Sequence, residues 1–183
     1  MPSRNAEQQS PSGSEPRIDG LSPAALQQLQ AAARAIRDGA EAPARMALDT
    51  TLELAPEHPE ALRLYAILHT RAQRQDEAQA CLQQVLAQWP DYALAWSDLG
   101  GVQQARGDME AAFASWRQAC ALAPAAPMPW FNLGRNLQLH GDTDDAIEAL
   151  QQAHALAADF LPALILLGDA LVHAGRFDEA DAR

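Results

Sequence analysis

The sequence predicts an all-α fold, built as a linear array of antiparallel helix pairs. Trp96, Trp130 and Leu164 recur at a step of 34 residues. Two sets of glycines keep the same step: Gly100, Gly134 and Gly168, then Gly107, Gly141 and Gly175. Between these landmarks lie pairs of apolar stretches with helical period, split by a short break. A recurrence of this length indicates one short structural unit copied several times.

The recurrence divides most of the chain into blocks of equal length. The predicted blocks are 25–58, 59–92, 93–126, 127–160 and 161–183, the last of them incomplete. Residues 21–183 are therefore expected to form one array. The polar segment 1–20, which contains Ser, Pro, Gln and charges of both signs, is expected to be a disordered leader.

The third block shows how each unit is built. Residues 93–104 are predicted as its first helix and residues 109–122 as its second, which Pro124 stops. Gly107 favours the left-handed conformation that ends a helix, and Asp108 can cap the helix that follows.

The other blocks repeat this break at equivalent places. Gly39, Gly141 and Gly175 mark it in the first, fourth and fifth blocks, whereas residues 73–76 of the second block contain no glycine. The turn of the second block is therefore predicted on a weaker signal.

Small residues recur in pairs, one in each helix of a block. The pairs are Ala32 with Ala44, Ala66 with Ala78, Gly100 with Ala112, Gly134 with Ala146, and Gly168 with Ala180. Small side chains at both places let two helices approach closely, and a larger residue would overpack them. Bulky residues are expected to fill the seams: Leu62, Tyr65, Trp96, Leu99, Trp116, Trp130, Leu133 and Leu150.

These positions resemble the signature of the tetratricopeptide repeat family. In the third block the matching residues are Trp96, Leu99, Gly100, Ala112, Trp116, Ala119 and Pro124. The fourth block matches through Trp130, Leu133, Gly134, Ala146, Leu150 and Ala153. The chain departs from the signature where a tyrosine is usual (His69, Gln103, Leu137) and where Ala158 replaces the last proline. The resemblance implies a solenoid that winds as a right-handed superhelix.

Composition narrows the function classes. The formal net charge is −11, which argues against nucleic acid, because phosphate binding needs a basic surface. Lysine is absent from the chain, which we interpret as GC-rich, bacterial coding. No stretch has the length of a membrane span and no secretory signal precedes the array, so we expect a cytoplasmic protein that does not bind membranes.

Candidate catalytic and metal-binding residues all have simpler explanations. His140, Gly141 and Asp142 form an H-x-D triplet used by iron sites, but they coincide with a predicted helix break. Cys81 and Cys120 have no metal-site spacing and are expected to be packing residues. We therefore expect no cofactor, no metal and no enzymatic activity in this chain.

The family resemblance implies that the first helices line a concave groove that binds an extended peptide or a partner helix. The residues predicted for this groove are Arg63, Ile67, Arg71, Ser97, Asp98, Gln104, Phe131, Asn132, Arg135, Gln138 and Asp169. Arg63, Arg71 and Arg135 could pair with carboxylates of an acidic peptide or a chain terminus. They could equally be ordinary solvated arginines.

Asn132 is the predicted backbone-binding side chain. Some family members hold a peptide backbone with a column of asparagines before the signature leucine, and Asn132 matches that place. Leu64 and Leu166 interrupt the column. Other members clamp a terminal carboxylate with lysine and asparagine; with Ile67 and Met128 at two of the equivalent sites, that clamp is not expected here.

The last block ends early, which leaves Leu164, Leu167 and Phe177 without an expected covering neighbour. Two explanations are open: a longer parent protein, or a homodimer through this end. The sequence therefore predicts a protein-interaction module. The alternative is the substrate-recruiting region of a larger protein-modifying enzyme, such as a glycosyltransferase, a sulfotransferase or a 2-oxoglutarate oxygenase, with its catalytic domain beyond residue 183.

Overall fold

The computed structural model describes residues 21–181, and within them it contains only helices. The predicted leader 1–20 lies outside the described residues. The helices are α1 (Pro23–Arg37), α2 (Glu41–Leu54), α3 (Pro59–Arg71), α4 (Gln75–Gln88), α5 (Ala93–Ala105), α6 (Met109–Leu122), α7 (Pro127–His140), α8 (Thr143–Leu156), α9 (Leu161–His173) and α10 (Phe177–Asp181). The predicted all-α fold class is confirmed.

The helices pack as successive hairpins. The most extensive contacts join α1 to α2, α3 to α4, α5 to α6 and α7 to α8, and each hairpin then contacts the next one. The first helices of neighbouring hairpins also touch, because α1, α3, α5, α7 and α9 lie side by side. This arrangement places one face of every first helix along a common surface.

The turn inside each hairpin depends on a residue with positive φ. Gly107 has φ of 84°, and the Asp108 side chain accepts a hydrogen bond of 3.2 Å from the Ala111 amide, as the sequence predicted. In the second block Gln73 takes the same left-handed conformation, with φ of 60°. An L side chain there costs about 1–2 kcal/mol, so hairpin packing imposes this turn without glycine.

The core runs along the array between the two layers of helices. Gly100 lies directly under the indole of buried Trp116, since an added Cβ would clash with Trp116 Nε1. A Cβ on Gly134 would lie 2.7 Å from Leu150 Cγ. Gly100 and Gly134 thus serve the close approach that the sequence predicted, whereas a Cβ on Gly168 would meet nothing within 4 Å.

The end of the array differs in part from expectation. Leu167 is 0% exposed, since it packs with Ile147, Leu150 and Leu171, so the prediction that it lacks a covering neighbour is wrong. The preceding hairpin and α9 itself bury it. Phe177 is 60% exposed.

Candidate functional site

Side chains of three successive first helices line an open cavity of about 350 Å³. We call it the groove cavity; side chains of α3, α5 and α7 form most of its wall. Of the residues predicted for the groove, those that line it are Ile67, Arg71, Ser97, Asp98, Gln104, Asn132 and Arg135. Residues spaced three, four or seven apart share one face of a helix, which explains why they converge.

Polar side chains link the first helices at a nearly constant step. Arg63 Nη1 donates to Asp98 Oδ2 at 2.6 Å, and Asn132 Nδ2 donates to Ser97 Oγ at 3.2 Å. Each pair joins residues 35 positions apart. Because one repeat is 34 residues long, each bond joins almost equivalent positions on adjacent first helices.

Arg63 is the centre of a partly buried charge network rather than a free cation. Its guanidinium donates to both carboxylate oxygens of Glu60, at 2.8 and 2.9 Å, as well as to Asp98. The Tyr92 hydroxyl donates to Glu60 as well. Only 13% of the Arg63 side chain is exposed. Its charge is therefore already balanced inside the protein, which weakens the case for Arg63 as a ligand contact.

Burial and charge act differently on the two carboxylates of this network. Burial alone would raise the pKa of Glu60, but the hydrogen bonds and charge of Arg63 outweigh it and lower that pKa. Burial dominates at Asp98, whose pKa is raised despite the Arg63 charge. The pKa values of the two carboxylates are therefore shifted in opposite directions.

Arg71 and Arg135 are the exposed cations of the groove cavity. Arg71 Nη1 donates to the Ile36 carbonyl, which fixes its guanidinium at the rim. The Arg135 guanidinium lies 5.8 Å from the centre of the Phe131 ring. Within residues 21–181 neither arginine forms an ion pair with a carboxylate.

Asn136 belongs to the same cavity and was missed by the sequence analysis. It is 1% exposed, its Nδ2 donates to the Asn132 carbonyl at 2.7 Å, and its Oδ1 accepts from Gln104 Nε2 at 2.7 Å. Asn136 stands at the step occupied by Leu68, Val102 and Ala170, and by Arg34 in the first block. A polar residue between apolar ones in successive blocks was the available signal.

The remaining predicted groove residues do not line the groove cavity. Phe131 packs edge-on against Phe160, with ring centres 5.0 Å apart. Gln138 is partly buried and Asp169 is exposed, further toward the end of the array. The predicted set therefore separates into seven residues that line the cavity and four that do not, which are Arg63, Phe131, Gln138 and Asp169.

The H-x-D triplet forms a turn. Gly141 has φ of 99°, and His140 Nδ1 lies 2.9 Å from Asp142 Oδ2. In residues 21–181 no three His, Cys, Asp or Glu side chains are grouped as metal ligands. Nor is any helix of this part of the chain long and apolar enough to cross a bilayer.

Two family models of the tetratricopeptide repeat match the chain, at residues 71–127 and 137–183. Together these segments make up more than half of the sequence. The chain belongs to the tetratricopeptide repeat family. Members of this family generally mediate protein–protein interactions. No curated protein matches the chain significantly.

Solved structures show the same fold. Pseudomonas aeruginosa PilF is similar with a TM-score of 0.78 and 19% identity, over 87% of this chain and 72% of that one. The Thermus thermophilus repeat protein TTC0263 has a TM-score of 0.72 and 22% identity, over 86% of this chain and 87% of that one. Thermobaculum terrenum O-GlcNAc transferase has a TM-score of 0.66 and 25% identity, over 72% of this chain but 26% of that one.

Proposed function

We propose that this protein is a cytoplasmic interaction scaffold whose groove cavity binds a peptide segment of a partner protein. The observation that carries the proposal is the convergence of polar side chains from three successive first helices on one concave cavity. Amide, hydroxyl and guanidinium groups at such a place can bond the backbone and side chains of an extended peptide.

The charges of the cavity favour a peptide that carries carboxylates. Arg71 and Arg135 are exposed and have no carboxylate partner among the described residues, whereas Arg63 forms ion pairs with Glu60 and Asp98. A guanidinium binds a carboxylate through charge-assisted, often bidentate hydrogen bonds. We therefore transfer the proposed ligand role from all three arginines to Arg71 and Arg135.

The amide side chains would contact the peptide backbone. Asn132 is only partly buried, and its Nδ2 bonds to Ser97 across the cavity. That weak contact of 3.2 Å can be exchanged for a peptide carbonyl, while Asn136 and Gln104 hold the neighbouring wall through their own bond of 2.7 Å.

A displayed library of acidic peptides tests this proposal, with hits measured against an Arg71→Ala/Arg135→Ala double variant. Loss of two charge-assisted hydrogen bonds should weaken acidic hits by about tenfold or more. The matched control is Arg45→Ala/Arg117→Ala, which removes the same charge from the second helices α2 and α6. Unchanged affinity of the groove variant for every acidic hit would contradict the charge preference.

Asn132→Ala tests the backbone contact separately. It should weaken acidic and neutral peptides to a similar degree, because the backbone is common to both. Binding that persists unchanged in both groove variants would place the peptide elsewhere on the protein and overturn the proposed site.

A second proposal is that the array recruits substrate for a larger protein-modifying enzyme. The supporting observation is the similarity to a segment of Thermobaculum terrenum O-GlcNAc transferase that makes up 26% of that chain. Sequencing the transcript through its stop codon decides the matter. An open reading frame that continues into a catalytic domain supports the second proposal, and a stop after Arg183 refutes it.

A further inference from the structure

A second cavity, of about 500 Å³, lies at the junction of α6, α7 and α8. We call it the second-helix cavity, because its rim belongs to the second helices α6 and α8. Trp130, Leu133 and Leu137 of α7 line it, together with Arg117 of α6 and Asp145 and Glu148 of α8. None of the residues that line it also lines the groove cavity. Its volume is in the range of about 300–1,000 Å³ that is typical of ligand sites.

The preceding repeat bridges the equivalent place with its own polar side chains. There Ser115 Oγ donates to Gln103 Oε1 at 2.7 Å. The equivalent residues one repeat later are Ala149 and Leu137, which cannot form such a bond. The floor of the second-helix cavity is therefore apolar, although the helices around it are arranged in the same way.

Two carboxylates stand on the rim of the second-helix cavity where the preceding repeat has alanine. Asp145 and Glu148 take the places of Ala111 and Ala114. Since they are three residues apart on α8, they share one face of that helix. Within residues 21–181 Asp145 lies 3.6 Å from Arg117, whereas the exposed Glu148 forms no ion pair. Glu148 is thus available to a cation that enters the cavity.

The wall of α7 contributes an aromatic ring whose position is fixed. Trp130 is partly buried, and its Nε1 donates to the Pro124 carbonyl at 3.1 Å. Leu133 and Leu137 are buried beside it on the same helix. An indole is the best aromatic partner for a cation in proteins. The cavity thus combines an aromatic ring with a free carboxylate.

Arg117 shows how this part of the protein accommodates a guanidinium. Its Cζ lies 5.9 Å from the centre of the Phe113 ring, while Nη2 approaches Asp145. The planar guanidinium can stack on a ring and bind a carboxylate through two parallel hydrogen bonds, which a lysine ammonium cannot do. Trp130 and Glu148 offer the same two groups to an arginine from outside.

We propose that the second-helix cavity binds an arginine side chain of a partner protein, with the guanidinium between the Trp130 indole and the Glu148 carboxylate. Arg117 and Asp145 at the rim have side chains 58% and 61% exposed, so the cavity is open to a side chain that projects from another protein. The formal net charge of −11 attracts a basic partner and repels a second copy of this chain.

Short peptides with a leucine on either side of a central arginine, lysine or citrulline test the proposal. Citrulline has nearly the shape of arginine without its charge. A nuclear magnetic resonance titration of the full chain follows the indole N–H signals of Trp130 and of Trp96, its equivalent one repeat earlier. The arginine peptide should shift the Trp130 signal and leave the Trp96 signal unchanged. The other two peptides should bind about tenfold more weakly or less.

Two variants test the groups that hold the guanidinium. Asp145→Asn/Glu148→Gln should weaken the arginine peptide by about tenfold or more. The matched control is Glu53→Gln/Glu110→Gln, which removes two charges from exposed positions of α2 and α6. Trp130→Leu should also weaken the peptide, and leucine stands at this position in two other repeats. Circular dichroism establishes that each variant is folded.

Four results would overturn the proposal. They are an unshifted Trp130 signal, equal affinity for the citrulline peptide, wild-type affinity of Asp145→Asn/Glu148→Gln, and a wild-type dimer that this variant dissociates. Arginine amide that binds as tightly as the peptide would make the ligand a small molecule and overturn it too. Arg71→Ala/Arg135→Ala should bind the arginine peptide normally, which separates this test from that of the groove cavity.

Discussion

The two halves of the concave side use the same positions for different chemistry. The stacking series is the first-helix position that recurs every 34 residues as Leu29, Arg63, Ser97, Phe131 and Ile165. Beyond the buried Leu29, the N-terminal half supplies an ion pair and a hydrogen bond at this position, through Arg63 and Ser97. In the C-terminal half the series supplies apolar surface, through Phe131 and Ile165. Both halves have the same backbone arrangement, which small-residue packing and the buried core determine. The residue in the stacking series determines whether the contact between neighbouring first helices is polar or apolar.

Among the substitutions that test this comparison, Arg63→Ala should lower the free energy of unfolding most. It leaves Glu60 and Asp98 without their counter-ion in a partly buried place, which typically costs about 3–5 kcal/mol. Urea unfolding measures the loss. Arg117→Ala is the control, since the Arg117–Asp145 pair spans 3.6 Å with side chains 58% and 61% exposed. That variant should lose about 0–1 kcal/mol. Equal losses would show that burial of the network is unimportant.

Replacing glycine by alanine should have opposite effects on the free energy of unfolding at two equivalent positions. Gly134→Ala puts a Cβ 2.7 Å from Leu150 Cγ and 3.1 Å from the Ala146 carbonyl oxygen, and should cost about 1–3 kcal/mol. Gly168→Ala meets nothing within 4 Å and should gain about 0.5–1 kcal/mol from helix propensity. Thermal unfolding compares them. Wild-type stability for Gly134→Leu, the more severe change, would mean that the assumed repeat register is wrong.

Phe131→Ala tests the apolar half. The ring is partly buried and packs edge-on against Phe160, so its removal should cost about 1–2 kcal/mol from lost area and ring contact. Phe177→Ala, at a ring that is 60% exposed, should change the free energy of unfolding by less than about 0.5 kcal/mol. Similar changes in the free energy of unfolding for the two variants would show that Phe131 does not stabilise the contact between neighbouring repeats.

Among the substitutions in the stacking series, Ser97→Ala and Ile165→Ala should have the smallest effects. Ser97→Ala removes one neutral hydrogen bond, about 0.5–1.5 kcal/mol. Ile165→Ala should leave the free energy of unfolding of the isolated protein almost unchanged, because the side chain is largely exposed. Denaturant midpoints measured side by side check the order. A larger loss for Ile165→Ala would show that α9 is covered in solution.

Most of the fold was predictable because the packing repeats. The second helix of the third block was expected at 109–122 and is found there, and its first helix ends one residue later than expected. The break at Gln73 was hard to assign because that position lacks glycine, yet the step of 34 residues from Gly107 gives its place. Periodic burial thus outweighs the local turn preference.

The candidate site was only partly predictable. Residues on one helical face can be grouped from spacing alone, which is why Ser97, Asn132 and Arg135 were placed together. Whether an arginine is free or neutralised depends on carboxylates from another helix. Arg63, Arg71 and Arg135 therefore look alike in the sequence, although only Arg63 is bound by Glu60 and Asp98.

The sequence by itself determined that this protein is a stack of α-hairpins, because a helix pair with one recurring apolar pattern is buried by its neighbours in the same way each time. Only the tertiary structure decided which polar groups remain available on the concave side and which face of α9 stays open. Those properties arise from contacts between side chains about 35 residues apart, and a pattern read along one helix does not contain them.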